Sequence, residues 1–69
     1  MKLSARNTIP GTVTKVAKGA TTAHAAIDIG NGVTVTASIT NEAVDELGIA
    51  VGKQAYAVVK ASDVMVAVD

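Results

Sequence analysis

The most constraining feature of this chain is a strict two-residue alternation. Across Val33–Thr40, apolar Val33, Val35, Ala37 and Ile39 alternate with hydroxyl-bearing Thr34, Thr36, Ser38 and Thr40. Successive side chains of a strand point to opposite faces, so this pattern describes a half-buried β-strand and excludes a helix. Residues 22–29 repeat it, with Ala23, Ala25, Ile27 and Ile29 opposed to Thr22, His24, Ala26 and Asp28. Between the two runs stands Gly30-Asn31-Gly32, which supplies the positive φ angles of a tight hairpin turn.

The rest of the chain extends this β pattern. Residues 3–17 read as a long first strand, with Pro10-Gly11 as a bend or bulge, because Thr12-Val13-Thr14 resumes at once. Lys18-Gly19-Ala20 then connects to the second strand. Asn41–Leu47 breaks the alternation. Thr40 or Asn41 can act as N-cap, Glu42 favours the first turn, and Gly48 can end a helix of one or two turns, with Ala43, Val44 and Leu47 on one side. A fourth strand is expected over Gln54–Val59 and a fifth over residues 63–68. The predicted fold is all-β: an OB-like small five-stranded barrel with one short helix between strands 3 and 4. Residues 1–69 are expected to form one domain.

A chain of 69 residues buries only about 60% of the surface it exposes when unfolded, which leaves its stability marginal without reinforcement. There is no cysteine, so disulfides and thiolate metal sites are excluded. The lone His24 brings no clustered ligands. The apolar half of the composition is mostly Ala and Val, with Tyr56 as the single aromatic, so the core of one chain must be thin. The last strands are apolar on both sides: Tyr56 and Val58 oppose Ala55, Ala57 and Val59, while Val64, Val66 and Val68 oppose Met65 and Ala67. Strands apolar on both faces are covered on both faces. A homo-oligomer is the expected remedy.

These features narrow the function. The formal charge is zero. Lys2, Arg6, Lys15 and Lys18 precede Asp28, whereas Glu42, Asp45, Glu46, Asp63 and Asp69 follow it, so the first third is basic and permits a local anion site. An enzyme is not expected: there is no Cys nucleophile, no acid partner for His24 at motif spacing, and no glycine-rich phosphate loop before a helix. Asp45 and Glu46 read as a solvated helical face. Nucleic-acid binding by an OB-like barrel uses aromatic platforms along a basic groove, and both are missing. No segment is apolar enough to span a membrane or to serve as a signal peptide, so a cytoplasmic location is expected.

Two polar clusters remain. Ser4-Ala5-Arg6-Asn7 opens the first strand, and Lys60-Ala61-Ser62 lies in the break between the last two. Each joins a cation and a hydroxyl to small neighbours that leave backbone N–H groups accessible, a donor set suited to an oxyanion. Thr40 adds a hydroxyl at the end of strand 3. Strand-end Ser, Arg and Lys also commonly face water and bind nothing.

Ser4-Ala5-Arg6-Asn7 followed by Gly11-Thr12-Val13 resembles the start of a molbindin, the family also called Mop or TOBE domains. Lys18-Gly19-Ala20, Ala37-Ser38-Ile39-Thr40, Glu46-Leu47-Gly48, Gly52-Lys53 and Val59-Lys60-Ala61-Ser62-Asp63-Val64 continue the family's landmarks in order across nearly the whole chain. The resemblance implies a hexamer, a trimer of dimers, with molybdate or tungstate held at subunit interfaces and no organic cofactor. One site class would use Ser4, Ala5, Arg6 and Asn7 of one subunit, completed by Lys60, Ala61 and Ser62 of a neighbour with Thr40 close by. A second, near the family's threefold axis, is assigned to Lys18, Gly19, Ala20, Thr21 and Thr22. His24 follows that loop and is expected as a partly buried strand residue. The implied function is intracellular molybdate or tungstate storage and homeostasis. The alternative is a molybdate-responsive regulatory or assembly module acting through a partner protein.

Overall fold

The computed structural model describes residues 1–69. Four antiparallel strands, β1 (Asn7–Lys18), β2 (Thr22–Gly30), β3 (Val33–Thr40) and β4 (Gln54–Val59), form one sheet in the order β3-β2-β1-β4. Helix α1 (Asn41–Leu47) lies between β3 and β4, and a single 3-10 turn, Ala61–Asp63, follows β4. The long β1 is shared. Its first half pairs with β4, from Asn7 opposite Val59 to Thr12 opposite Gln54, and its second half pairs with β2, from Thr12 opposite Asp28 to Lys18 opposite Ala23.

The β2–β3 hairpin forms as its pattern requires. Gly30 pairs with Val33 across Asn31-Gly32, whose φ angles of 54° and 74° belong to a two-residue turn with both central residues left-handed. Helix α1 also has the expected bounds. Thr40 is its N-cap, its hydroxyl accepting from Ala43 N–H at 3.0 Å, and Gly48 closes it at φ 64° with its N–H on Asp45 and Val44 carbonyls. Of the three residues on its apolar side only Val44 is buried; Leu47 is exposed.

Three details differ from the sequence expectation. The first strand begins at Asn7 rather than residue 3, because β4 ends at Val59 and residues before Asn7 have no strand to pair with. The irregularity in β1 is not at Pro10-Gly11, which pair in register with Tyr56 and Ala55. It falls one turn of the pleat later, between Val13 opposite Ile27 and Lys15 opposite Ala26, so that Thr14 is the extra residue. Gly11 serves close approach instead. A Cβ there would lie 2.6 Å from the Asp28 carbonyl oxygen and 2.6 Å from Ile27 Cγ2, so β2 can approach β1 this closely only at a glycine.

The third difference is the fifth strand. Residues 64–69 have no secondary structure, and Met65, Val66 and Val68 are about nine-tenths exposed. Their alternation favours an extended chain, but a strand also needs a neighbour for its N–H and C=O groups, and no edge within this chain meets them. The core is correspondingly thin: Val13, Ala23, Ala25, Ile27, Val44 and Ala57 are the buried residues, all small or branched aliphatics. An apolar groove lined by Ile27, Val35, Ile39, Tyr56 and Val58, among others, lies open between the β3 and β4 edges. No helix is long and apolar enough to cross a membrane.

Candidate functional site

The pairing of β1 with β4 determines where the first donor set lies. Asn7 stands opposite Val59, and its side-chain Nδ2 donates to the Val59 carbonyl at 3.1 Å. In an antiparallel pair the residues preceding one partner face those following the other. Arg6 and Lys60, the residues next to this last pair, therefore leave the sheet at the same end.

Local structure leaves their donors available. Asp63 N–H donates to the Lys60 carbonyl and Val64 N–H to that of Ala61, which closes the 3-10 turn and consumes carbonyls. The N–H groups of Ala61 and Ser62, at the start of the turn, have no partner above them. Arg6 and Lys60 are exposed, and neither forms an ion pair; Lys18–Asp45 is the salt bridge of the chain. Arg6 and Lys60 are cations, Ser4 and Ser62 carry hydroxyls that can donate or accept, and the Ala61 and Ser62 amides are free, so these two segments are rich in hydrogen-bond donors.

Thr40 is placed differently. It pairs with Thr22, and its hydroxyl is committed as acceptor to the cap of α1. No hydrogen bond joins it to the Asn7–Val59 end, and by pairing it belongs with the second candidate.

In that second candidate, residues 18–22, the carbonyls of Gly19, Thr21 and Thr22 are engaged inward. Gly19 N–H donates to the Thr22 carbonyl at 2.7 Å, Asn41 N–H to that of Thr21 at 2.9 Å, and Asn41 Nδ2 to that of Gly19 at 3.0 Å. The N–H groups of Ala20 and Thr21 are left free, as in an anion-binding backbone concavity. Lys18 is less available than its position in the sequence suggests, because its Nζ lies 2.6 Å from Asp45 Oδ1 on α1. Asn41 and Asp45 are thus the residues that sequence reasoning missed here. Asn41 had only the role of a possible cap, and nothing in helical spacing shows that it reaches back across the β3 end. Its Oδ1 is buried without a partner. His24 is exposed rather than partly buried, on the solvent side of β2 opposite Ser38, and no group of His, Asp and Glu is arranged to hold a metal ion.

A strongly curled antiparallel sheet, a capped helix between its third and fourth strands, and donor clusters at strand ends define a small OB-like binding domain. The chain belongs to the TOBE domain family, matched over residues 3–66, and within it to the molbindin or Mop group. It is 45% identical over its full length to a probable molybdenum-pterin-binding protein of Haemophilus influenzae, all of which is covered. The fold superposes on MopII of Clostridium pasteurianum with a TM-score of 0.90 at 39% identity, covering 97% of this chain and all of that one. It also matches ModG, a cytoplasmic molybdate-binding protein solved with molybdate bound, with a TM-score of 0.89 at 43% identity. That match covers 94% of this chain and 46% of ModG.

Proposed function

We propose that this protein binds molybdate or tungstate in the cytoplasm as a store and buffer, at sites between the subunits of a homo-oligomer, a hexamer built as a trimer of dimers. The observation that supports the reading is the Asn7–Val59 register, from whose end the segments carrying Ser4 and Arg6 and carrying Lys60, Ala61 and Ser62 both lead off. The names of the relatives, which bind molybdenum-pterin or molybdate, support the choice of anion. Binding is reversible sequestration with no chemical step, no organic cofactor, no membrane and no nucleic acid.

Physical chemistry favours interface sites. Arg6 and Lys60 stand in solvent, where a dianion held by one chain would stay hydrated and its attraction screened. A neighbouring subunit closing over this end would exclude water, add donors and make each hydrogen bond stronger. The exposed tail, the open apolar groove and the exposed β4 side chains Tyr56 and Val58 supply surfaces for that assembly. Residues 18–22, with their free Ala20 and Thr21 amides, would form the second site class.

Selectivity follows from protonation and size. Molybdate, tungstate and sulfate are unprotonated dianions at neutral pH and suit a donor-rich site, whereas phosphate often carries a proton that needs an acceptor. A rigid pocket between subunits would then exclude the smaller sulfate by poor fit. Titration calorimetry on the intact protein tests this: molybdate and tungstate bind tightly and sulfate weakly. Sulfate binding as tightly as molybdate would overturn the reading. The alternative, a module that responds to the anion through a partner protein, requires the β4 face and tail to be covered by another protein. Native mass spectrometry separates the two. A hexamer that takes up several anions supports the carrier, and a bare monomer supports the module.

A further inference from the structure

The chain contains three asparagines, and the fold treats them differently. Asn7 donates its side-chain amide to the Val59 carbonyl, and β-branched Thr8 follows it inside a paired strand. Asn41 donates its amide to the Gly19 carbonyl, and Glu42 follows it in the first turn of α1. Asn31 is held by nothing. It is exposed, its side chain makes no hydrogen bond, and the next residue is Gly32, whose N–H is also unpaired at the tip of the hairpin.

From this we infer that Asn31 is a site of spontaneous covalent modification, deamidating through a succinimide to aspartyl and isoaspartyl forms. The Gly32 backbone nitrogen gives up its proton to base and attacks Asn31 Cγ. The Cγ–Nδ2 bond breaks, ammonia leaves, and a five-membered imide remains. Water then opens either imide carbonyl, leaving a carboxylate at position 31 with the backbone running through the α-carbonyl or through the side chain. No oxidant or reductant is needed.

Ring closure requires the turn to leave its left-handed conformation, and the structure offers little resistance. Gly30 and Gly32 flank Asn31 as permissive hinges, and a Cβ built on either would meet no atom within 4 Å, so nothing packs against the tip. No side chain on Gly32 shields its nitrogen. Both products place a second carboxylate beside Asp28, whose Oδ1 accepts from the Gly30 N–H at 2.9 Å. The isoaspartyl form also lengthens the backbone of a turn that admits two residues.

The test uses the intact folded protein, warmed at mildly alkaline and, in parallel, at mildly acidic pH. Isoelectric focusing should show a new band one charge unit more acidic, growing with time and faster at alkaline pH. Peptide mass mapping should place the change at Asn31. The Asn31→Gly variant, which keeps a residue that accepts positive φ, should not develop the band. Absence of the acidic form in the wild-type protein, its persistence in Asn31→Gly, or its mapping to Asn7 or Asn41 would overturn the proposal.

Discussion

Arg6 and Lys18 show how the setting of a cation decides its use. Both are exposed lysine or arginine side chains near a strand end, but Lys18 is paired with Asp45 and Arg6 is free. Arg6→Ala should therefore weaken molybdate binding by about tenfold or more, since a hydrogen bond to a charged group is worth roughly 1.5–3 kcal/mol. Its melting temperature should stay close to wild type, and calorimetry beside a thermal scan reads both. Unchanged affinity would remove Arg6 from the site. Lys18→Met breaks an ion pair whose partners are 47% and 67% exposed, so its cost to stability should be at most about 1 kcal/mol by urea unfolding. Gly11→Ala is the contrasting case: its added methyl meets backbone as well as Ile27, and overpacking of this kind costs about 1–3 kcal/mol or more. That site was legible in the sequence only as a bend, because the close approach of β2 to β1 at Gly11 is a tertiary fact.

At the level of elements, the hairpin and α1 were legible because their signals are local. Alternation sets the two strands, Asn31-Gly32 accepts the turn, and Thr40 and Gly48 bracket the helix. The bulge at Thr14 was not legible. It arises where β1 leaves β4 for β2, and the local markers Pro10 and Gly11 point to the wrong place. Helix α1 is short and buries only Val44, so its capping matters more than its packing. Thr40→Ala should cost about 1 kcal/mol by loss of the cap. It should also raise amide exchange in residues 18–22, because Asn41, the first helical residue, holds the Gly19 and Thr21 carbonyls. Hydrogen exchange confined to α1 would show that the loop is held independently.

The whole molecule has few buried residues and a surface with Tyr56, Val58, Val64, Met65, Val66 and Val68 exposed. Burying apolar area is worth about 25 cal/mol per Å², so contacts between copies are the available source of further stability. If the assembly proposed above forms, its melting temperature should rise with protein concentration, since association stabilises by mass action. Deleting residues 64–69 should shift the sedimentation profile to smaller species while leaving the circular dichroism of the four-stranded sheet largely intact. A truncated chain that sediments like the full one would show that the tail takes no part in assembly.

The sequence by itself determined the elements whose causes are near neighbours: the β2–β3 hairpin, the capped helix, a thin aliphatic core and two clusters of hydrogen-bond donors. Only the tertiary structure decided what those elements meet. The register of β1 with β4 brought Arg6 and Lys60 to one end of a single chain, and α1 reached across to orient residues 18–22 and occupy Lys18. The fifth strand, written plainly in the valine alternation, has no partner within the chain. Side-chain periodicity expresses a preference for extended backbone, but the hydrogen bonds that make a strand depend on a neighbour, which no local pattern encodes.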